Sequence, residues 1–236
     1  MSLISRLHHV LQGTHENQYD GTIMEFEDPE VKKYLVANIG GEDGITNPDF
    51  GVEGVKGIAG EVTYEQVLAC KRVDFEGNQN IRRFNELEYF KNIETAYFKN
   101  SSIEEVSLPY MTIYKSSSFF GCGGLKKLTT KYGLEITYAA AMFYNCPSLT
   151  TLDTRRWNLR NLVDAAYMFY GCTSLTTLNT GNWNLRNLVD GSYMFYSCTS
   201  LNNLDTIGWG LSNLVDGFCM FFNCSSLTTL DTRGGT

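Results

Sequence analysis

Apolar residues recur in a fixed order along the C-terminal two thirds of this chain. The clearest copies, MFYNCPSLTTLDT at Met142, MFYGCTSLTTLNT at Met168, MFYSCTSLNNLDT at Met194 and MFFNCSSLTTLDT at Met220, start 26 residues apart. In each copy a Phe is followed three residues later by Cys, and then by two Leu that are three residues apart. A constant period of this length predicts a solenoid, whose coils stack on one another.

The same positions can be followed backward through earlier, shorter copies. The first apolar residue of each pair is Ile81, Ile103, Leu125, Leu149, Leu175, Leu201 or Leu227, at steps of 22, 22, 24, 26, 26 and 26 residues. Three residues before it lies an Asn/Cys column of Asn78, Asn100, Cys122, Cys146, Cys172, Cys198 and Cys224. Six residues before it lies an inner aromatic column of Phe75, Tyr97, Phe119, Phe143, Phe169, Phe195 and Phe221. Columns kept in register through seven copies predict a right-handed α/β solenoid of about seven coils.

Local sequence predicts the elements of each part. Segments such as LTTLDT at Leu149 mix apolar and polar residues and are rich in Thr, which predicts a short parallel strand in every coil. The first 74 residues lack the repeat, but Asp28 and Pro29 form a helix start, and Thr63 and Gln66 form a capping box before a second helix. We therefore divide the chain into a helical N-terminal cap, 1–74, and a repeat solenoid, 75–236.

Composition and motifs narrow the classes of function. The net charge is −7 and no basic stripe is present, which argues against a nucleic acid partner. No apolar run is long enough to span a membrane, and the first residues do not form a convincing signal peptide, which leaves a cytoplasmic location open. No nucleophile elbow or phosphate loop occurs, and His8, His9 and His15 lack a ligand pattern. We predict no enzymatic activity, no metal site and no cofactor.

Five of the seven cysteines share one repeat position, and this favours a structural role. A buried thiol there can hydrogen-bond to a turn carbonyl or fill a small gap between coils. A bridge between Cys219 and Cys224 is left open by their spacing. The carboxylates of Asp153, Asp205 and Asp231, with Asn179 in the same column, could recruit a cation, but we favour local hydrogen bonds at a turn.

Two columns are candidates for a partner-binding face. The residues directly after the inner aromatic column should point outward by strand-like alternation, giving an outer aromatic column of Phe98, Phe120, Tyr144, Tyr170, Tyr196 and Phe222. Exposed rings offer large contact area to a peptide or glycan, although they could instead pack between coils with only the hydroxyls at the surface. The second candidate is a polar strand column of Thr151, Thr177, Asn203 and Thr229.

The repeat motif that begins with Met-Phe is followed by a Trp-Asn segment and N-L-V-D. This pattern resembles the leucine-rich repeats of BspA-like bacterial surface proteins, including the variant found in mycoplasmas and lactic bacteria. The early copy FKNSSIEEVSLP at Phe98 resembles the related treponemal-type repeat. This resemblance implies a cell-surface or secreted protein-interaction or adhesion module with a protein or glycan ligand. The competing interpretation is an intracellular or phage-associated structural module. The array stops after one strand at Leu227, and we therefore also expect end-to-end self-association through the C-terminal coil.

Overall fold

A computed structural model describes residues 22–40, 50–52, 55, 57–113 and 117–230. Both predicted helices are present in its N-terminal part. Helix α1 (Pro29–Asn38) starts after Asp28, whose carboxylate accepts a hydrogen bond from the N–H of Glu30 at 3.0 Å. Helix α2 (Tyr64–Ala69) starts with the predicted capping box, in which Thr63 and Gln66 exchange side-chain to backbone hydrogen bonds.

Short strands follow the helices through the rest of the described chain. They are β1 (Arg72–Asp74), β2 (Arg83–Phe84), β3 (Thr95–Tyr97), β4 (Glu105–Ser107), β5 (Met111–Ile113), β6 (Lys127–Thr129), β7 (Leu134–Ile136), β8 (Thr151–Leu152), β9 (Trp157–Asn158), β10 (Thr177–Leu178), β11 (Asn203–Leu204) and β12 (Thr229–Leu230). A 3-10 helix, Asn85–Tyr89, follows β2.

The strands pair only in parallel, each with the strand one coil away. One side of the molecule carries the sheets β2-β4-β6 and β8-β10-β11-β12, and β6 packs against β8 between them. A second side carries β5-β7-β9, and β1 pairs with β3. The two sheets on the first side hold seven stacked strands, which correspond to about six turns of the solenoid. The prediction of a solenoid with short parallel strands and a short helical N-terminal part is confirmed, with about six turns where about seven coils were expected.

The inner aromatic column forms a continuous stack of rings through the core. Its members are Phe75, Phe98, Phe119, Phe143, Phe169, Phe195 and Phe221, with successive ring centroids 5.3 to 5.7 Å apart. The second member is therefore Phe98, which is fully buried, and the assignment of Tyr97 to this column was wrong. Tyr97 is only partly buried, and the Arg72 guanidinium lies 5.3 Å from its ring.

The same coil carries a second one-residue shift, and both shifts have one cause. Ser101 is buried and its Oγ lies 3.8 Å from the Sγ of Cys122, whereas Asn100 is exposed in a left-handed conformation. This coil has one residue fewer between its aromatic residue and Ile103 than the other coils have. Phe98 therefore leaves the outer aromatic column, which consists of Phe120, Tyr144, Tyr170, Tyr196 and Phe222.

The column thiols are structural, as predicted. The Sγ atoms of Cys122, Cys146, Cys172, Cys198 and Cys224 each donate a hydrogen bond to a Phe carbonyl of an earlier coil, at 2.8 to 3.1 Å. Burial raises the pKa of these thiols, for Cys122 to about 11. Cys219 and Cys224 are free thiols, so the bridge left open by the sequence is not formed.

Candidate partner-binding face

Each coil makes a turn segment with one left-handed backbone position, and five of the coils have a second one. One position is occupied by Gly77, Asn100, Gly121, Asn145, Gly171, Ser197 and Asn223, with φ between 54° and 70°. The other is occupied by Ser117, Ala141, Tyr167, Tyr193 and Cys219, with φ between 53° and 71°. Gly and Asn are the usual residues in such turns, because a positive φ brings Cβ close to the backbone. Tyrosine is an unusual choice there.

Backbone hydrogen bonds fix the turn segments of successive coils at one spacing. The N–H groups of alternate residues donate to carbonyls of the next coil, as in Tyr167 to Ser192 at 2.9 Å and Phe169 to Met194 at 2.8 Å. The intervening residues close turns within their own coil, as in Met168 to Ala165 at 3.1 Å. Side chains at equivalent positions therefore lie above one another at the spacing of the coils.

The outer aromatic column uses this spacing to stack its rings. Its four successive centroid distances, from Phe120 to Phe222, are 4.7, 4.7, 4.7 and 5.2 Å, and the ring planes differ by 14° or less. The four rings before Phe222 are half-buried, and Phe222 is 58% exposed. Within the described chain the hydroxyls of Tyr144, Tyr170 and Tyr196 make no hydrogen bond. The ring faces contact each other, so the ring edges and hydroxyl groups form the accessible surface.

A second aromatic column, which sequence reasoning missed, lies beside the first. It consists of Tyr167, Tyr193 and Phe218; the two Tyr rings stack at 4.8 Å, and Phe218 meets Tyr193 edge-on at 5.4 Å. Tyr167 and Phe218 are 38% and 62% exposed. Tyr167 also lies 5.9 Å from Tyr170 of the outer aromatic column. The sequence signal for this column was the Tyr directly before the Met-Phe pair in two of the four clearest copies; in the last copy Cys219 takes that position and Phe218 lies one residue earlier.

The polar strand column lies on the exposed face of the β8-β10-β11-β12 sheet. Thr151, Thr177 and Asn203 are exposed and in register with one another, and Thr229 occupies the same register in β12. These strands border a shallow groove of about 420 Å³, which contains none of the aromatic columns. The structure thus keeps the two predicted columns as two separate surfaces.

The carboxylates beside this groove are held by local hydrogen bonds. Asp153 accepts bonds from the Arg155 guanidinium at 2.7 and 2.9 Å, and these bonds hold its pKa at about 2. Asp205 accepts a bond from the N–H of Ile207 at 3.1 Å. Both arrangements fit the favoured sequence interpretation of local turn bonding. Asp231 lies outside the described residues.

Comparison with known proteins gives one match. The family model described as "Mycoplasma protein of unknown function, DUF285" matches residues 115–232, which is half of the chain and covers most of both candidate surfaces. No curated protein and no solved structure matches the sequence. Among the described helices, none has the length and apolar character needed to cross a membrane.

Proposed function

This chain belongs to the DUF285 family of mycoplasma proteins of unknown function, and on that premise we propose that it is a non-enzymatic interaction module that binds proteins through its two aromatic columns. The repeat motif and the match to the DUF285 family model together support a BspA-like leucine-rich repeat protein. By that likeness the module acts in adhesion at a cell surface.

One observation carries the proposal: the solenoid places tyrosines at its surface in a backbone conformation that disfavours them. Left-handed geometry costs a residue other than glycine roughly 1–2 kcal/mol. Tyr167 and Tyr193 both adopt it, at φ of 60° and 55°, and Gly at these positions would remove the cost. Stacking of the two rings offsets part of this cost, and rings of this kind supply much of the binding energy at protein interfaces. Backbone outliers of this sort cluster at functional sites.

The ring geometry favours a protein ligand over a glycan. A sugar that packs on an aromatic side chain needs a free ring face. In the outer aromatic column Tyr144, Tyr170 and Tyr196 have neighbouring rings on both faces, at 4.7 to 5.2 Å. The accessible groups are ring edges and hydroxyls, which suit apolar side chains and backbone carbonyls of a peptide.

The experiment compares the two surfaces on peptide and glycan arrays. We expect the wild-type protein to bind peptide spots, the Tyr170→Ala/Tyr196→Ala variant to lose them, and the Thr151→Ala/Thr177→Ala variant to keep them. Circular dichroism and thermal melting show whether each variant is folded. Peptide binding that survives in the Tyr variant and disappears in the Thr variant would move the function to the polar strand column.

A structural module that associates end to end is the second candidate, and the C-terminal coil favours it. Val215 and Phe218 are 83% and 62% exposed there. The N–H groups of Gly217, Cys219 and Phe221, equivalent to those that join earlier coils, have no acceptor among the described residues. Two such coils facing each other would present donors to donors, so this contact would rest on the apolar side chains. Sedimentation velocity at tens of micromolar tests it: a monomer, or a dimer unchanged by Val215→Glu/Phe218→Glu, would exclude it.

A further inference from the structure

We propose that the outer aromatic column binds an extended proline-rich peptide in the polyproline II conformation, which lies along the solenoid axis. This inference rests on the proposed function, because it names the kind of protein segment that the aromatic columns receive. It is carried by the spacing of the rings, by the groups they expose and by the charges beside them.

The ring spacing matches the repeat of a polyproline II helix. Successive rings between Phe120 and Tyr196 are 4.7 Å apart, so every second ring recurs at about 9.4 Å. A polyproline II helix has three residues per turn and rises ~3.1 Å per residue, which gives a repeat of about 9.3 Å. A peptide in this conformation therefore presents the same side of each turn to every second ring, without drift along the column.

Other peptide conformations lack this match. A β-strand presents side chains on the same face every two residues, a distance of ~6.6 to 6.8 Å, and one turn of α-helix rises ~5.4 Å. Neither distance is a small multiple of the 4.7 Å ring spacing. Such peptides would lose register with the rings after one or two contacts.

The exposed groups also suit this ligand. A polyproline II segment makes no internal backbone hydrogen bonds, so its carbonyls need external donors. The hydroxyls of Tyr144, Tyr170 and Tyr196, without partners in the described part of the chain, form a row of such donors at the coil spacing. The second aromatic column runs alongside, with Tyr193 5.6 Å from Tyr196, and gives the proline rings a second apolar wall. Grooves lined by aromatic side chains are a recurring means of binding proline-rich segments.

Carboxylates at the flank predict the charge of the ligand. Asp164, Asp190 and Asp216 occupy one repeat position at the start of the turn segments. Their Oδ1 atoms accept hydrogen bonds at 2.8 to 2.9 Å from the N–H groups of Ala166, Ser192 and Phe218, which lie in or next to the second aromatic column. A Lys or Arg next to the prolines would therefore be attracted to this side of the column.

The test uses fluorescently labelled nonaproline with one terminal Lys, and two peptides of equal length and charge: a Gly/Ser peptide and a Thr/Val peptide with strand propensity. Fluorescence anisotropy gives the affinities. We expect nonaproline to bind best to the wild-type protein and to the Thr151→Ala/Thr177→Ala control. Tyr170→Phe/Tyr196→Phe keeps the stacked rings but removes two donors, and we expect it to weaken binding about tenfold. Tyr170→Ala/Tyr196→Ala should abolish binding while remaining folded by circular dichroism.

The contrary outcomes separate this inference from the proposed function. If the Thr/Val peptide binds better than nonaproline, and its binding depends on Tyr170 and Tyr196 of the outer aromatic column, the ligand is not proline-rich but the interaction surface stays in place. If nonaproline binds equally to the Tyr170→Ala/Tyr196→Ala variant, the ligand does not use this column and the inference fails. If neither nonaproline nor any array peptide depends on the Tyr residues, both proposals fail.

Discussion

Phe169 and Phe221 occupy equivalent positions in the inner aromatic column, and replacing each by Ala tests whether the coils stabilise one another by stacking. Phe169 is fully buried, with Phe143 and Phe195 on its two faces at 5.3 and 5.4 Å. Phe221 is only partly buried and has one neighbour within the column, Phe195 at 5.6 Å. Each Phe also has one Trp ring nearby, Trp183 at 6.5 Å from Phe169 and Trp209 at 6.3 Å from Phe221, so Phe221 has one ring partner fewer. In a repeat array each coil interacts mainly with its neighbours, so the two substitutions should have unequal costs.

The expected difference follows from burial and from the number of ring pairs lost. A fully buried Phe→Ala substitution costs about 3–5 kcal/mol, and each aromatic pair contributes about 0.5–1.5 kcal/mol beyond burial. We therefore expect the free energy of unfolding to fall by about 4 kcal/mol in Phe169→Ala and by about 2 kcal/mol in Phe221→Ala. Urea unfolding followed by the fluorescence of the buried Trp157, Trp183 and Trp209 measures both values. Equal losses, or a larger loss in Phe221→Ala, would refute stacking as the source of stability.

Three further predictions concern the cap, the thiols and a turn. Burial alone raises the pKa of Asp28, but hydrogen bonds from the N–H groups of Arg82, Arg83 and Glu30 outweigh it and lower the pKa. The ionised Asp28 carboxylate should therefore stabilise the protein fully above its pKa in the unfolded chain, ~3.9, and this stabilisation should be lost as the pH falls through its lower pKa in the folded protein. Urea unfolding of Asp28→Asn should show a weaker dependence on pH in this acid range. A thiol reagent should label Cys219 in the native protein and leave Cys172 and Cys198 unlabelled until urea is added; rapid native labelling of Cys172, read by mass spectrometry, would contradict the packing. Gly133→Ala should destabilise the protein by more than ~2 kcal/mol, because Gly133 has a φ of 87° and the new Cβ would clash with the Arg156 carbonyl oxygen. Gly123→Ala, with open space around Cβ, should cost under ~1 kcal/mol in the same urea assay.

Most of the fold could be predicted from the period of the apolar residues. The stacked strands, both helices and the thiol position follow from side chains that recur at equal intervals or from local capping. The coil with Tyr97 and Phe98 shows the limit of this reasoning. The six-residue spacing from Ile103 favours Tyr97, and only packing against Phe75 and Phe119 selects Phe98.

The candidate site was less accessible to prediction. Alternation predicts that Tyr144, Tyr170 and Tyr196 point outward, but it could not show that they are half-buried with their faces covered by each other. Tyr167 and Tyr193 were missed as surface residues because their direction depends on a left-handed backbone that propensity assigns to Gly or Asn. Surfaces built on unusual backbone geometry are therefore the part that residue patterns describe least well.

The most direct test of the aromatic surface is a two-dimensional NMR titration of the protein with Lys-nonaproline. We expect the largest shift changes in the turn segments around Tyr144, Tyr170 and Tyr196, and we expect the signals of Thr151 and Thr177 to stay in place. Shift changes confined to the polar strand column, or an absence of changes at millimolar peptide, would contradict it.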